Sequence, residues 1–340
     1  MRPPLYTLLP NGNAKCLACA NQCVIRPGGH GLCGQRRFNG TDFTVPRDAV
    51  SGLAIDPMEK KPLYHFLPGQ EVLSYGMVGC SLACPFCQNW DISQVGRDER
   101  ADASMRAITA EEMVSLAVQR SVPAIAATYN EPIISAEWTA DIFELAHAKG
   151  IRTVLVSNGY ASPEAVALLA PLTDAANIDL KAGTDEGYRK LGGRLQPVLD
   201  TIAELFRQRV WIEITTLVVP GFNNTPEHYT AIAEFIASLS CDIPWHISAY
   251  FSTYKMPPTP QFTPLSDIEA AVQCGEKAGL HHIYTGNLRP NLSRSDTLCP
   301  HCGKRLIQRH NYTLQQNAIK NGRCPDCGTP IAGVFECSSP

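Results

Sequence analysis

Val72-Leu73-Ser74-Tyr75-Gly76-Met77-Val78-Gly79-Cys80-Ser81-Leu82-Ala83-Cys84-Pro85-Phe86-Cys87 carries an apolar, β-prone run straight into three cysteines. Their spacing is C-x3-C-x2-C, with the aromatic Phe86 just before the last. Three thiolates are one short of filling the four irons of a [4Fe–4S] cluster. The unfilled iron is the point of the motif, because an open iron can bind and reduce a substrate. A zinc knuckle is the competing reading, and the lack of a fourth cysteine nearby speaks against it.

Working outward, short apolar runs at 72–78, 124–129, 152–157, 176–180, 211–219, 245–250 and 282–285 read as strands. Amphipathic stretches at 110–120, 134–149, 163–169, 197–208, 226–239 and 266–278 read as helices between them. Ser162 before Pro163 and Thr225 before Pro226 are N-cap and N1 pairs, and Gly150 and Gly279 sit where helices should stop. Strands alternating with helices imply a parallel sheet. Repeated six or more times, the unit implies an α/β fold with a partial (β/α)6-type TIM barrel. The chain divides into a cysteine-rich segment (1–68), this barrel (69–290) and a C-terminal zinc-ribbon or rubredoxin-like domain (291–340).

In such a barrel the active site lies at the C-terminal ends of the strands. The later strand ends are polar: Asn130-Glu131-Pro132, Ser157-Asn158-Gly159, Asp179-Leu180-Lys181, the stretch after Leu217, and His246 to Tyr250. One such break is an ordinary capped loop. Five at equivalent positions beside a three-cysteine motif point to one site.

Fourteen cysteines in a chain with no visible leader read as metal ligands rather than disulfides. Cys299, Cys302, Cys324 and Cys327 are paired C-x2-C knuckles, each followed by a glycine that permits the tight turn. This closed tetrathiolate is expected to hold a structural zinc, with a rubredoxin-like single iron as the alternative. Cys16, Cys19, Cys23 and Cys33 form a second closed set, read as zinc or as a second iron–sulfur cluster. The phrase 23–34 between them reads as loops around a metal. Cys241, Cys274 and Cys337 are left over and read as incidental thiols.

Lys and Arg number 29 against 32 Asp and Glu, a net charge of −3, and no dense basic patch appears. General nucleic-acid binding is therefore not expected. Neither a signal-peptide core nor an apolar run of spanning length is visible, so the expected location is the cytoplasm, away from membranes.

The Cys80–Cys87 spacing resembles the signature of the radical S-adenosylmethionine (SAM) superfamily, and the strand ends extend the likeness across the middle segment. The resemblance implies that Cys80, Cys84 and Cys87 hold a [4Fe–4S] cluster whose fourth iron is chelated by SAM. Reductive cleavage then gives methionine and a 5′-deoxyadenosyl radical that abstracts hydrogen from substrate. It also places Phe86 near the adenine, and puts Asn130 and Glu131 where the superfamily's Gly-Gly-Glu stretch binds the SAM amino group, the glycine pair being absent here. Ser157 and Asn158 match the strand end that meets the ribose or carboxylate. Asp179 and Lys181 resemble the Asp-x-Lys of glycyl-radical-enzyme activases. His246 and the turn from Tyr284 to Asn287 are similar to the activases' sixth-strand histidine and closing turn. An electron donor such as flavodoxin or ferredoxin is implied.

Three phrases, 16–34, 79–90 and 129–132, together with the C-terminal knuckles, resemble the radical SAM enzymes of the AmmeMemoRadiSam system, whose other members would be partners. The substrate is then a small molecule or a partner-held group. An activase of a glycyl-radical protein is the alternative; 88–108 carries no cysteine, unlike activases with a ferredoxin insert there. A non-catalytic iron–sulfur or zinc scaffold is the third.

Overall fold

A computed structural model describes residues 4–260 and 262–336, so Cys337 lies outside the described residues. Eight strands form the main sheet: β1 (Gly52–Pro57), β2 (Glu71–Gly76), β3 (Ala124–Ala127), β4 (Arg152–Ser157), β5 (Ala175–Asp179), β6 (Trp211–Val218), β7 (Trp245–Ala249) and β8 (Ile283–Gly286). Their order in space is their order in sequence. β2 to β8 run parallel, and β1 caps the near edge antiparallel to β2. Among the described residues β1 and β8 share no ladder, so the curled sheet is an open, partial barrel. β1 precedes residue 69, so the sheet reaches back into the cysteine-rich segment.

The helices α1 (Ala110–Gln119), α2 (Ala136–His147), α3 (Pro163–Leu169), α4 (Gln196–Arg207), α5 (Pro226–Leu239) and α6 (Leu265–Lys277) return the chain between parallel strands. Local chemistry sets their ends. Thr109 and Glu112 close a capping box on α1, and the Ser162 hydroxyl accepts the Ala165 N–H at 3.0 Å to start α3. Thr225 was expected to cap α5, but its side chain makes no cap bond; Pro226 at N1 remains. Gly150 and Gly279 stop α2 and α6 at φ of +69° and +83°, which a side chain would strain.

The helices bury one large apolar cluster against the outer face of the sheet. A second cluster fills the barrel interior, where Met58, Leu63, Phe66 and Leu67 pack on Val72, Ala124, Ala126 and Val154. The chain between β1 and β2 thus plugs one end of the barrel and leaves the strand C-termini open. Before β1, two- and three-residue antiparallel ribbons replace the loops expected at 23–34, with Val24–Ile25 and Gly29–His30 extended. After β8, β9 (Arg305–His310) and β10 (Thr313–Asn317) form a hairpin that carries the C-terminal knuckles.

Candidate active site

Parallel register brings the strand ends to one rim: Tyr75 pairs with Ala127, Ser157 with Ile178, Asp179 with Thr215, and Val218 with Ala249. They surround a cavity of about 550 Å³. Cys80, Cys84, Cys87, Phe86, Asn130, Glu131, Ser157, Asn158, Asp179, Lys181, His246 and Asn287 all line it. That volume falls in the range of small-ligand pockets.

The cysteine loop is fastened by polar contacts from neighbouring strand ends. Asn130 accepts the Met77 N–H at 3.0 Å and donates to the Gly79 carbonyl at 3.0 Å. The Asn158 amide donates to Ser81 Oγ at 3.0 Å and toward Cys80 Sγ at 3.5 Å. Ser93 Oγ stands 3.1 Å from Cys87 Sγ. Burial pushes the Cys84 thiol up to about 12, with the Lys181 charge pulling the other way. Cys80 is raised as well, by burial and by the nearby Glu131 carboxylate. A metal takes the thiolate form, so binding here would release thiol protons.

Glu131 is buried, and burial raises its pKa. Its carboxylate accepts from Ser157 Oγ at 2.7 Å, the Asn158 N–H at 2.8 Å and the Ile133 N–H at 3.0 Å. Asn130 and Glu131 are therefore engaged in shaping the rim. Asp179 and Lys181 pair at 2.8 Å and face the cavity, presenting both signs of charge. Burial is the largest single influence and works against the Lys181 charge, but Asp179, Cys84 and Tyr188 together hold the ammonium above its ordinary range. Such a pair suits the two ends of a zwitterion. Phe86 lines the wall 5.0 Å from the Phe222 ring.

Two expected residues are engaged elsewhere. His246 Nε2 lies 2.6 Å from the fully buried Glu213 carboxylate, so its ring meets the cavity already paired. Tyr284 does not line the cavity; its hydroxyl bonds His65 at 2.6 Å and Thr297 at 2.8 Å behind the wall. Of that turn, Thr285, Gly286 and Asn287 reach the cavity, with Asn287 Nδ2 donating to the Ala249 carbonyl at 3.0 Å.

Sequence reading missed Glu59, Lys60, Lys61 and Tyr64, and Tyr312 in the β9–β10 turn, all of which also line the cavity. Lys61 is buried 2.7 Å from Asp56, whose other oxygen takes Lys60 at 2.8 Å. A charged triplet reads as a solvated face. The signal against that was the apolar run at 63–67 directly after it.

The outer cysteine sets differ. Cys299, Cys302, Cys324 and Cys327 place all four sulfurs within 4.8 Å of one another, a group that fits a metal ion. Gly303 and Gly328, at φ of +72° and +73°, return their N–H groups to the Cys299 and Cys324 carbonyls. Among the described residues no other set is so tight, the N-terminal four included. No helix among the described residues is long and apolar enough to cross a membrane.

Comparison with known proteins adds to this geometry. Residues 74–236 match the family described as Radical SAM superfamily. An uncharacterised protein of Methanocaldococcus jannaschii is 35% identical over 330 residues, spanning 96% of this chain and 97% of its own. The pyruvate formate-lyase 1-activating enzyme of Escherichia coli is 26% identical over 174 residues, 49% of this chain and 69% of that enzyme. Streptococcus suis SuiB bound to S-adenosylmethionine superposes with a TM-score of 0.50 at 15% identity, over 69% of this chain and 53% of that one, a likeness of fold alone.

Proposed function

Because this chain belongs to the radical SAM superfamily and is a radical SAM enzyme, we propose that its cavity turns the radical on a small molecule or on a group presented by a partner. Superfamily membership brings a [4Fe–4S] cluster and SAM, which together supply a 5′-deoxyadenosyl radical. The residues present fit them. Cys80, Cys84 and Cys87 are the cluster thiolates, and the Asp179–Lys181 pair meets the methionyl end of SAM. Phe86 and Asn287 flank the adenine side. Ser157 and Asn158 order the rim through Glu131. One observation carries this reading: three cysteines share a cavity with a paired carboxylate and ammonium at the strand ends.

The terminal knuckles are read as a structural zinc site, because their sulfurs lie as close as one tetrahedral ion needs. The reductant is read as a flavodoxin or ferredoxin, and the cell compartment as the cytoplasm. The phrases at 16–34, 79–90 and 129–132 support an AmmeMemoRadiSam system role. An activase of a glycyl-radical protein is the second reading, favoured by the pyruvate formate-lyase-activating relatives. It ranks lower because residues 88–108 carry no cysteine, unlike activases with a ferredoxin insert there. Anaerobic reconstitution followed by assay of 5′-deoxyadenosine is the test. Deuterium carried into deoxyadenosine from a small candidate supports the first reading; deuterium from a glycyl-radical partner alone replaces it with the second.

A further inference from the structure

We infer that Cys16, Cys19, Cys23 and Cys33 hold a second iron–sulfur cluster that hands electrons to the cluster at Cys80, Cys84 and Cys87. The acceptor in this relay rests on the proposed reading of the central site.

The spacing of the sulfurs carries the first step. A tetrahedral zinc with Zn–S bonds of about 2.3 Å has sulfur–sulfur edges of about 3.8 Å. The C-terminal set matches, with Cys299 and Cys327 at 3.6 Å and Cys302 and Cys324 at 3.7 Å. Among the described residues neither the N-terminal set nor the central motif gathers into such a group. A four-iron cube holds each thiolate on a different corner, so its ligands stand wider than those of a single ion. The N-terminal set, like the central motif, lacks the tight grouping of the zinc-like one.

An unmet donor is the second step. Arg36 is 1% exposed, and its Nη atoms are spent on Glu137, Leu5 and Ile134. Its Nε has no partner, although the side chain is close enough for its charge to act on Cys16 and Cys33. A buried N–H without an acceptor is costly. A metal-bound thiolate or a cluster sulfide at this set would supply that acceptor, so the unmet donor points to an occupied metal site.

Placement makes the site a relay. The Cys33 carbonyl stands 2.8 Å from where a side chain on Gly79 would begin, and Gly79 immediately precedes Cys80. Asn21, between Cys19 and Cys23, donates to the Ser81 carbonyl at 2.9 Å. Arg97 donates to the Leu32 carbonyl and also to Cys80 and Leu82 carbonyls at 2.7 Å, tying both cysteine loops together. Cys23 is half-buried, and Leu32, whose N–H points at Cys23 Sγ from 3.4 Å, is exposed. One corner of the site is therefore within reach of a protein donor. A reduced ferredoxin- or flavodoxin-class donor gives one electron to the N-terminal cluster and is oxidised. That cluster passes the electron to the central one and returns to its starting state, and no atoms move.

The test counts metals on the full chain purified without oxygen. About eight irons and one zinc per chain are expected, against about four irons and two zincs if the set binds zinc, which would overturn the inference. Cys84→Ala should keep about four irons with a cluster spectrum; loss of all iron would also overturn it. In Cys19→Ser/Cys33→Ser, cleavage driven by the protein donor should fall at least about tenfold further than cleavage driven by dithionite. An equal fall with both reductants would overturn the relay. Should the double variant fail to fold, the metal counts of the other two proteins still decide. Eight irons without SAM cleavage would fault the central site and leave the N-terminal cluster standing.

Discussion

The two four-cysteine sets of this chain look alike as motifs and differ as structures. At the C-terminus two turns of C-x2-C close on each other, their sulfurs packed to within 4.8 Å, on a hairpin with its own small apolar cluster. At the N-terminus the four thiols are spread along short ribbons that owe their burial to the barrel, touching Gly79, Ser81 and Ala161. The tight set lies within the small domain it would hold together, whereas the N-terminal set leans on the active-site loop. Cysteine count says little about role; sulfur spacing and neighbours say most of it.

The sharpest way to break this contrast is Cys302→Ser. Structural zinc binding is worth about 10 kcal/mol or more in small domains, so the terminal hairpin should lose nearly all its amide protection. Hydrogen exchange would read it as fast exchange at Arg305–His310, with the visible absorbance of the iron–sulfur protein unchanged. Loss of that absorbance would show that the C-terminal set supports the active site after all.

The seam that joins the hairpin to the barrel gives a smaller effect. Arg309 is buried, 3.4 Å from Glu59, and donates to the Tyr64 carbonyl at 2.7 Å and to Thr297 at 2.9 Å. Arg309→Met leaves Glu59 buried without its cation, a loss of about 3–5 kcal/mol. Adding Glu59→Gln should restore part of it, as a double-mutant cycle in denaturant would show. Additive losses would mean that the pair is not coupled.

Asp179→Ala tests the opposite case, a contact that serves ligand and not fold. The pair with Lys181 is partly exposed, which screens it, so the expected cost is about tenfold in SAM affinity. Iron content should hold. Unchanged affinity measured by calorimetry would remove Asp179 from the site.

How far the sequence foretold this site follows from how local each feature is. Strand and helix placement was legible because period and caps lie within a few residues of one another. The rim was legible because a parallel sheet forces equivalent strand ends together. Partners far apart in the chain were not. Glu213 takes His246 from 33 positions away, and His65 takes Tyr284 from 219. Nothing beside either residue announces that it is already bonded. The cavity floor was hidden for a related reason: Lys61 is buried only because Asp56 and Tyr129 enclose it, with its ammonium 4.6 Å from the Tyr129 ring centre. The spacing of the N-terminal sulfurs has no counterpart in a linear pattern.

The smallest effect, a pH slope, comes from the same seam. His65 is fully buried, with Nδ1 2.8 Å from the Ala332 carbonyl and Nε2 2.6 Å from the Tyr284 hydroxyl. A carbonyl only accepts, so Nδ1 carries the proton and Nε2 accepts from Tyr284. A second proton would set N–H against O–H in a dry site. Burial pushes the His65 pKa down to about 3, with the charge of His282 adding to the effect, and burial lowers His282 to about 4. The unfolded chain takes these protons below about 6.5 while the folded chain refuses them. The stabilising contribution is therefore complete above that value and is lost as pH falls toward 4, at up to about 1.4 kcal/mol per pH unit for each histidine. Denaturant midpoints between pH 7 and pH 5 should drop, and His65→Gln should flatten the slope by about 1 kcal/mol per unit. An unchanged slope would mean that His65 reaches water, and that the seam is as loose as the N-terminal ribbons would be without the barrel beneath them.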